Sequence, residues 1–239
     1  MAGKDEEEFG RKKTKRTGKE IARNWPTVKP KKDLKINRLK DTHLFTIPNF
    51  LTAYEANAFI EVAESIGFTH QGSLGQTHGE AYRDNDRISV SSPPLTEGLW
   101  DSGLKKVFDD IKIFGKTAVG LNPNIRFYRY NVGQQFGRHF DESVDLEQGR
   151  RTYYTLLVYL SGSSGSKGKS NSATSDSSMP SLAGGETVFY DKRHKVVSEV
   201  APLEGMALLH LHGAKCMLHE ARAVTKGIKY ILRSDVVFA

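Results

Sequence analysis

An α+β fold that is mainly β, with N-terminal helices packed on a β-sandwich or jelly roll, is predicted by three features of this sequence. Apolar residues recur at helical spacing only before Pro123. After it, aromatic and β-branched residues gather in short runs separated by glycine and polar turns. The 239 residues are 38% hydrophobic and 26% charged, enough for one sizeable packed core, or two small ones, beside segments that form none.

Phe45–Phe50 predicts a short strand ending near Pro48. Thr52 is placed to cap a helix through Ala53 to Ile66, since Ala56, Phe59, Ile60, Val62 and Ala63 share one face. Arg87–Ser91 alternates as a strand does. Leu104, Val107, Phe108, Ile111 and Phe114 predict an amphipathic helix from Leu99 to about Val119. Strands are then expected at 125–130, 135–141, 152–160, 187–190, 196–200, 207–210 and 230–238. Strands at this spacing after a run of helices suit a sandwich or jelly roll better than alternating α/β units.

Two segments are expected to stand outside that core. Residues 1–40 carry 14 Lys/Arg against 6 Asp/Glu, a net charge of +8, and read as a disordered basic tail. The remaining chain has 21 against 22 and is near neutral, so the folded body shows no sign of being built around a phosphate backbone. Arg11–Arg16 is a basic cluster of the nuclear-localisation kind, or a solubilising tail. Residues 161–183 form a Ser/Gly/Lys-rich insert in the domain that spans 41–239. Within it, five residues separate Gly162 from Gly168 where a phosphate-binding loop needs four, and no strand-then-helix context surrounds them.

A single cysteine, Cys216, rules out an intrachain disulfide framework. No stretch approaches the roughly 20 apolar residues of a membrane span, and no secretory signal is seen, so a cytoplasmic or nuclear location is expected.

The chemistry centres on His139-Phe140-Asp141. On a strand, residues i and i+2 share a face, so this spacing delivers an imidazole and a carboxylate together. The spacing alone is common by chance. A facial triad on Fe(II) needs a second histidine from elsewhere in the fold and leaves coordination positions open. His219 qualifies, 78 residues after Asp141. Lys229 follows ten residues on, past a turn-like Val224–Gly227, so the two are expected on adjacent antiparallel strands facing one cavity. A cation there suits the distal carboxylate of a metal-chelated 2-oxo acid. His210 and His212 also share a face, but that pair and a zinc site using Cys216 are set aside in favour of His139, Asp141 and His219. His43, His70, His78 and His194 read as surface or loop residues. Arg83–Arg87 reads as a solvated turn and edge strand.

Arg126 through Asp141 resembles the motif that opens the catalytic core of the prolyl 4-hydroxylases. Thr152–Ser161, Gly184-Gly-Glu-Thr-Val-Phe189, Pro202–Leu209 and His219 through Lys229 are similar to the family's later segments, in order. This resemblance implies a double-stranded β-helix and an Fe(II)- and 2-oxoglutarate-dependent dioxygenase. Such an enzyme hydroxylates a C–H bond, with prolyl peptides or proteins as the expected substrates, and consumes O2 and releases succinate and CO2. It further implies His139, Asp141 and His219 as iron ligands. Lys229, Tyr130, Tyr159, Thr155 and Leu157 would surround 2-oxoglutarate, and L-ascorbate would keep the iron reduced. The basic tail keeps open a nucleic-acid demethylase with the same cofactors, and a jelly-roll binding module without turnover is the remaining alternative.

Overall fold

This computed structural model describes residues 25–73, 80–163 and 181–239. Strands β1 (Asn37–Lys40) and β2 (Leu44–Ile47) lead into helix α1 (Ala53–Ile66), then β3 (Thr69–Gly72) and β4 (Arg83–Ser91). Helix α2 (Pro93–Leu99) continues through a π-helical turn, Trp100–Leu104, into α3 (Lys105–Phe108). Strands then dominate: β5 (Lys112–Ile113), β6 (Lys116–Leu121), β7 (Asn124–Tyr130), β8 (Gln135–His139) and β9 (Arg151–Tyr159). The last are β10 (Ala183–Gly184), β11 (Thr187–Tyr190), β12 (Val196–Val200), β13 (Ala207–Leu211), β14 (Leu218–Ala221), β15 (Val224–Lys226) and β16 (Lys229–Phe238).

Eleven strands follow one antiparallel path, β1-β2-β13-β9-β16-β7-β4-β8-β14-β11-β12. The path bends between β4 and β8, so β8, β14, β11 and β12 close over the broad sheet as the second wall of a jelly roll. Strand alternation divides the broad sheet between two compartments. Tyr154, Leu156 and Val158 on β9, Ile125 and Phe127 on β7, and Tyr230, Leu232, Val236 and Phe238 on β16 join one core with Phe59, Leu99 and Phe108 of the helices. Tyr159, Tyr128, Tyr130 and Ile231, from the opposite face, join Phe136 and Phe189 of the second wall. The interior between the two walls is where the site lies.

Helix α1 begins as its sequence predicts. The Thr52 hydroxyl accepts from the Glu55 N–H, and the Glu55 carboxylate accepts from the Thr52 N–H in return, a capping box. The second helical expectation is corrected: helix ends at Phe108, and Ile111 and Phe114 fall in a hairpin approach to β5 and β6. Phe114 adopts φ 51 beside Gly115 at φ 78, a turn conformation no helix contains.

The basic tail expected to run to residue 40 is corrected over residues 25–40. Trp25 stacks on Phe127 at 4.9 Å, Val28 is buried, and Leu34 and Ile36 pack at the edge of the same core. Glu55 holds this segment with bonds from the Lys29 N–H and the Lys31 ammonium. These apolar residues have no regular period, because the segment drapes over the helical layer without forming a helix itself. Residues 1–24, with the basic cluster, and residues 164–180 of the insert lie outside the described residues, as does His78.

Arg83–Arg87 is corrected as well. It belongs to β4, held between β3 on one edge and β7 and β8 on the other, with Asn85 and Asp86 buried. Asp86 pairs with Arg129 at 2.9 Å, and Arg83 lies over the Phe136 ring, so partners within the fold replace water. No helix among the described residues is long and apolar enough to cross a membrane.

Candidate metal centre

His139 is the last residue of β8, and Asp141 follows just beyond the strand. β14 pairs with β8 so that His219 stands opposite His139. One ligand atom from each of His139, Asp141 and His219 lies within 4.8 Å of the others. The His139 Nδ1–H donates to the Gly137 carbonyl at 2.8 Å, and the His219 Nδ1–H donates to the Met217 carbonyl at 2.9 Å. Each carbonyl fixes a tautomer and turns Nε2 inward, 3.8 Å and 3.6 Å from the Asp141 carboxylate.

Asp141 is nearly buried and is held from two sides. The Thr155 hydroxyl donates to Oδ2 at 2.8 Å, and the Arg233 guanidinium meets Oδ1 at 2.9 Å. Burial alone would raise this carboxyl's pKa, but Arg233 and then His219 outweigh it and keep it well below the usual range. For His219, burial opposes protonation, yet Asp141 and Cys216 raise the pKa to about 10. His139 is lowered to about 3 by burial and by His219. The Asp141 charge is thus offset by the Arg233 guanidinium. A divalent cation at the three inward atoms would add to that compensation, and a carboxylate has enough lone pairs for the cation, Thr155 and Arg233 together. The donor set therefore fits a two-histidine, one-carboxylate ion.

His210 was set aside on sequence, and the fold brings it close. It is fully buried, with Nε2 3.5 Å from Asp141 Oδ2 and without a hydrogen-bond partner. His210, Cys216 and His219 form a second convergent set. The first set better suits an ion that must keep positions open, because His210 is sealed in the floor. His212 hydrogen-bonds Thr155 and Thr152, and so reaches Asp141 only through the Thr155 hydroxyl.

Lys229 reaches the interior by a different route from the one expected. β14 pairs with β8 and β11, whereas β16 pairs with β6, β7 and β9, so His219 and Lys229 are on opposing walls and not on adjacent strands. They face the same space across the roll. Lys229 is fully buried, donates to the Gly185 carbonyl, and lies 5.3 Å and 5.7 Å from the ring centres of Tyr130 and Tyr159. Burial lowers its pKa to about 7 against the opposing pull of Glu186. Gly184 and Gly185 both have positive φ, and a Cβ on Gly185 would come within 2.9 Å of the Lys229 chain. That close approach is what the paired glycines allow.

A narrow cavity of about 40 Å3 connects the cluster with Tyr130, Leu157, Thr187 and Ile231. Tyr159 bonds Thr187 through its hydroxyl at 2.7 Å. Thr155, expected around 2-oxoglutarate, instead touches the ligand carboxylate. Two residues were missed: Thr187, inside the quoted Gly-Gly-Glu-Thr segment, and Arg233. The signal for Arg233 was its even spacing from Lys229 on one strand, which places both on the inward face.

Residues 125–234 match the family model described as 2OG-Fe(II) oxygenase superfamily. No curated protein matches the chain. Among solved structures, the chain is similar to a prolyl hydroxylase from Trichoplax adhaerens, in complex with a hypoxia inducible factor oxygen degradation domain peptide fragment. The TM-score is 0.56 at 16% identity, over 93% of this chain and 94% of that one. A viral collagen prolyl hydroxylase from Paramecium Bursaria Chlorella virus-1, in a 2OG complex, gives 0.53 at 19% identity, over 85% and 99%. A 2OG-Fe(II) oxygenase family oxidoreductase from Burkholderia pseudomallei gives 0.51 at 14% identity, over 88% and 96%. The sequence match to the 2OG-Fe(II) oxygenase superfamily covers the strands that carry the cluster, and the likeness to prolyl hydroxylases, one of fold, extends over most of the chain.

Proposed function

We propose that this chain hydroxylates a C–H bond in a peptidyl substrate, prolyl residues first among them, with Fe(II) held by His139, Asp141 and His219. The convergence of those three ligand atoms carries the reading. When bound, Fe(II) with 2-oxoglutarate and O2 supplies the oxidising power for such a bond, with succinate and CO2 released. The chain's own residues bind, orient and exclude water. Gly137 and Met217 carbonyls fix the two imidazoles, and Arg233 and Thr155 fix the carboxylate. Lys229 is the cation for the distal carboxylate of 2-oxoglutarate, with Tyr130, Tyr159, Leu157 and Thr187 forming an apolar and hydroxylic sleeve around its carbons. A cavity of about 40 Å3 has room for a water or two and not for a five-carbon diacid, so the sleeve must widen on binding. Lys229, whose ammonium donates to the Gly185 carbonyl, would exchange that carbonyl for the incoming carboxylate. Ascorbate, implied by the family resemblance, is included in the assay as the reductant. The solved relatives named as prolyl hydroxylases, one holding a peptide, support a peptidyl substrate.

The test is anaerobic titration of Fe(II) and 2-oxoglutarate into wild type and His139→Ala. Wild type is expected to show the weak visible charge-transfer band of a chelated 2-oxo acid, and the variant to lack it. A folded, iron-loaded wild type without the band defeats the assignment. Succinate formation stimulated by prolyl peptides then tests the substrate.

A further inference from the structure

On the outer side of the cluster the surface opens into a groove of about 840 Å3. Phe140, between the ligands His139 and Asp141, lines it and is 59% exposed. Cys216 and Leu218 form the inner wall, and the Cys216 thiol lies 4.0 Å from His219 Nδ1. The groove is thus one side chain away from a proposed ligand.

Its charge is one-sided. Lys40, Lys192, Arg193, Lys195 and Lys215 line it, against one carboxylate, Asp191. Asp191 is already engaged: its Oδ1 accepts from the backbone N–H groups of Arg193 and Lys195. Its backbone closes the same turn with Lys195 and His194. The β11–β12 hairpin is therefore tied by its own acid and presents Lys192, Arg193 and Lys195 as an exposed, pre-ordered row. No ion pair engages these three or Lys215 among the described residues. Such a concentration stands out because residues 41–239 are near neutral overall.

We propose that this groove docks an acidic polypeptide segment, holding the substrate chain beside the metal cluster. The proposal rests on the peptidyl reading above and adds the charge class of the substrate. Complementarity argues for it: four lysines and one arginine, in a groove also lined by an exposed phenyl ring, match carboxylates interspersed with apolar side chains. A nucleic acid is less well served. Lysines act as point charges without the paired fork that phosphates favour, and the near-neutral body offers no continuing phosphate track beyond the groove.

The probe is a short fluorescein-labelled peptide with a central proline flanked by glutamates, beside its glutamine counterpart. Anisotropy with the metal-loaded full chain is expected to show the glutamate peptide binding roughly tenfold or more tightly, with the advantage lost at high salt. Lys192→Glu with Lys195→Glu, on an exposed hairpin, should reverse the preference while the melting temperature stays at the wild-type value. Equal binding of the two peptides, or no effect of the double substitution, overturns the proposal. Tighter binding of a single-stranded oligonucleotide of equal charge overturns it in favour of nucleic acid. Because binding is read without turnover, a chain that binds the acidic peptide but forms no succinate defeats the oxygenase reading and leaves the groove standing.

Discussion

Arg233 and Lys229 show how much a single side chain costs when it is buried with charge. Arg233 is the partner that makes a buried Asp141 carboxylate tolerable. Replacing it with methionine should destabilise the metal-free protein by about 3–5 kcal/mol, since the remaining charge has lost its pair. Denaturation with chelator and then with added Mn(II) should show the metal recovering part of that loss, because the cation substitutes for the guanidinium. An equal loss in both conditions would mean that Arg233 only packs. Lys229 gives a pH signature. Its folded pKa of about 7 lies below the ordinary 10.5, so between those values the unfolded chain binds more protons. Stability must then rise with pH across that window, and the cost is fully present below it. Lys229→Met should be more stable at neutral pH, show less of that rise, and bind 2-oxoglutarate at least about tenfold more weakly. Melting curves at several pH values and a 2-oxoglutarate titration check both. At this scale the ligand residues were legible, since His-x-Asp and a later histidine are patterns of residue type. Arg233 was legible only through its even spacing from Lys229, because an inward-facing arginine on a strand otherwise looks like any exposed one until the sheet is closed.

Elements were legible where one period dominated. Helix α1 and strands β11, β12 and β16 fall close to their predicted ranges, since capping residues and alternating apolar runs mark them. The expected helix past Phe108 failed because Ile111, Ile113 and Leu121 are buried by short strands whose spacing mimics a helical face. Pairing was the least legible: no local pattern states that β14 and β16 lie on opposing walls. The capping box at α1 gives a prediction for the element. Glu55 closes the helix and also ties residues 29–31, and its hydrogen bonds outweigh burial to lower its pKa to about 2. A depressed carboxyl contributes stability that is present above pH 4.5 and lost as pH falls toward 2. Glu55→Gln should flatten that acid limb, while Thr52→Ala should cost about 1 kcal/mol above pH 4.5 and less at acid pH, where the Glu55 carboxylate that its hydroxyl also bonds is protonated. An unchanged acid limb in Glu55→Gln would show that other carboxyls carry it.

The whole molecule is three layers, helices, broad sheet and second wall, with the broad sheet serving a core on one face and a polar interior on the other. Trp25 extends the helical side beyond the expected domain boundary. Trp25→Ala should cost roughly 2 kcal/mol, less than the ~3–5 of a fully buried tryptophan, and chemical denaturation will measure it. A loss near zero would return that segment to the tail. The order of the sheet has a further consequence, for how the protein reaches this state. β16 lies between β7 and β9, and the Arg126–Asp235 bond inside the roll spans 109 residues. Until β16 inserts, β7 and β9 present open edges rich in tyrosine and aliphatic side chains, and the interior lacks Lys229, Arg233 and Asp235 altogether. Such long-range pairing makes folding slow and leaves sticky intermediates. Renaturation from denaturant should therefore lose yield steeply as protein concentration rises, and iron affinity should appear only with the final, slowest phase.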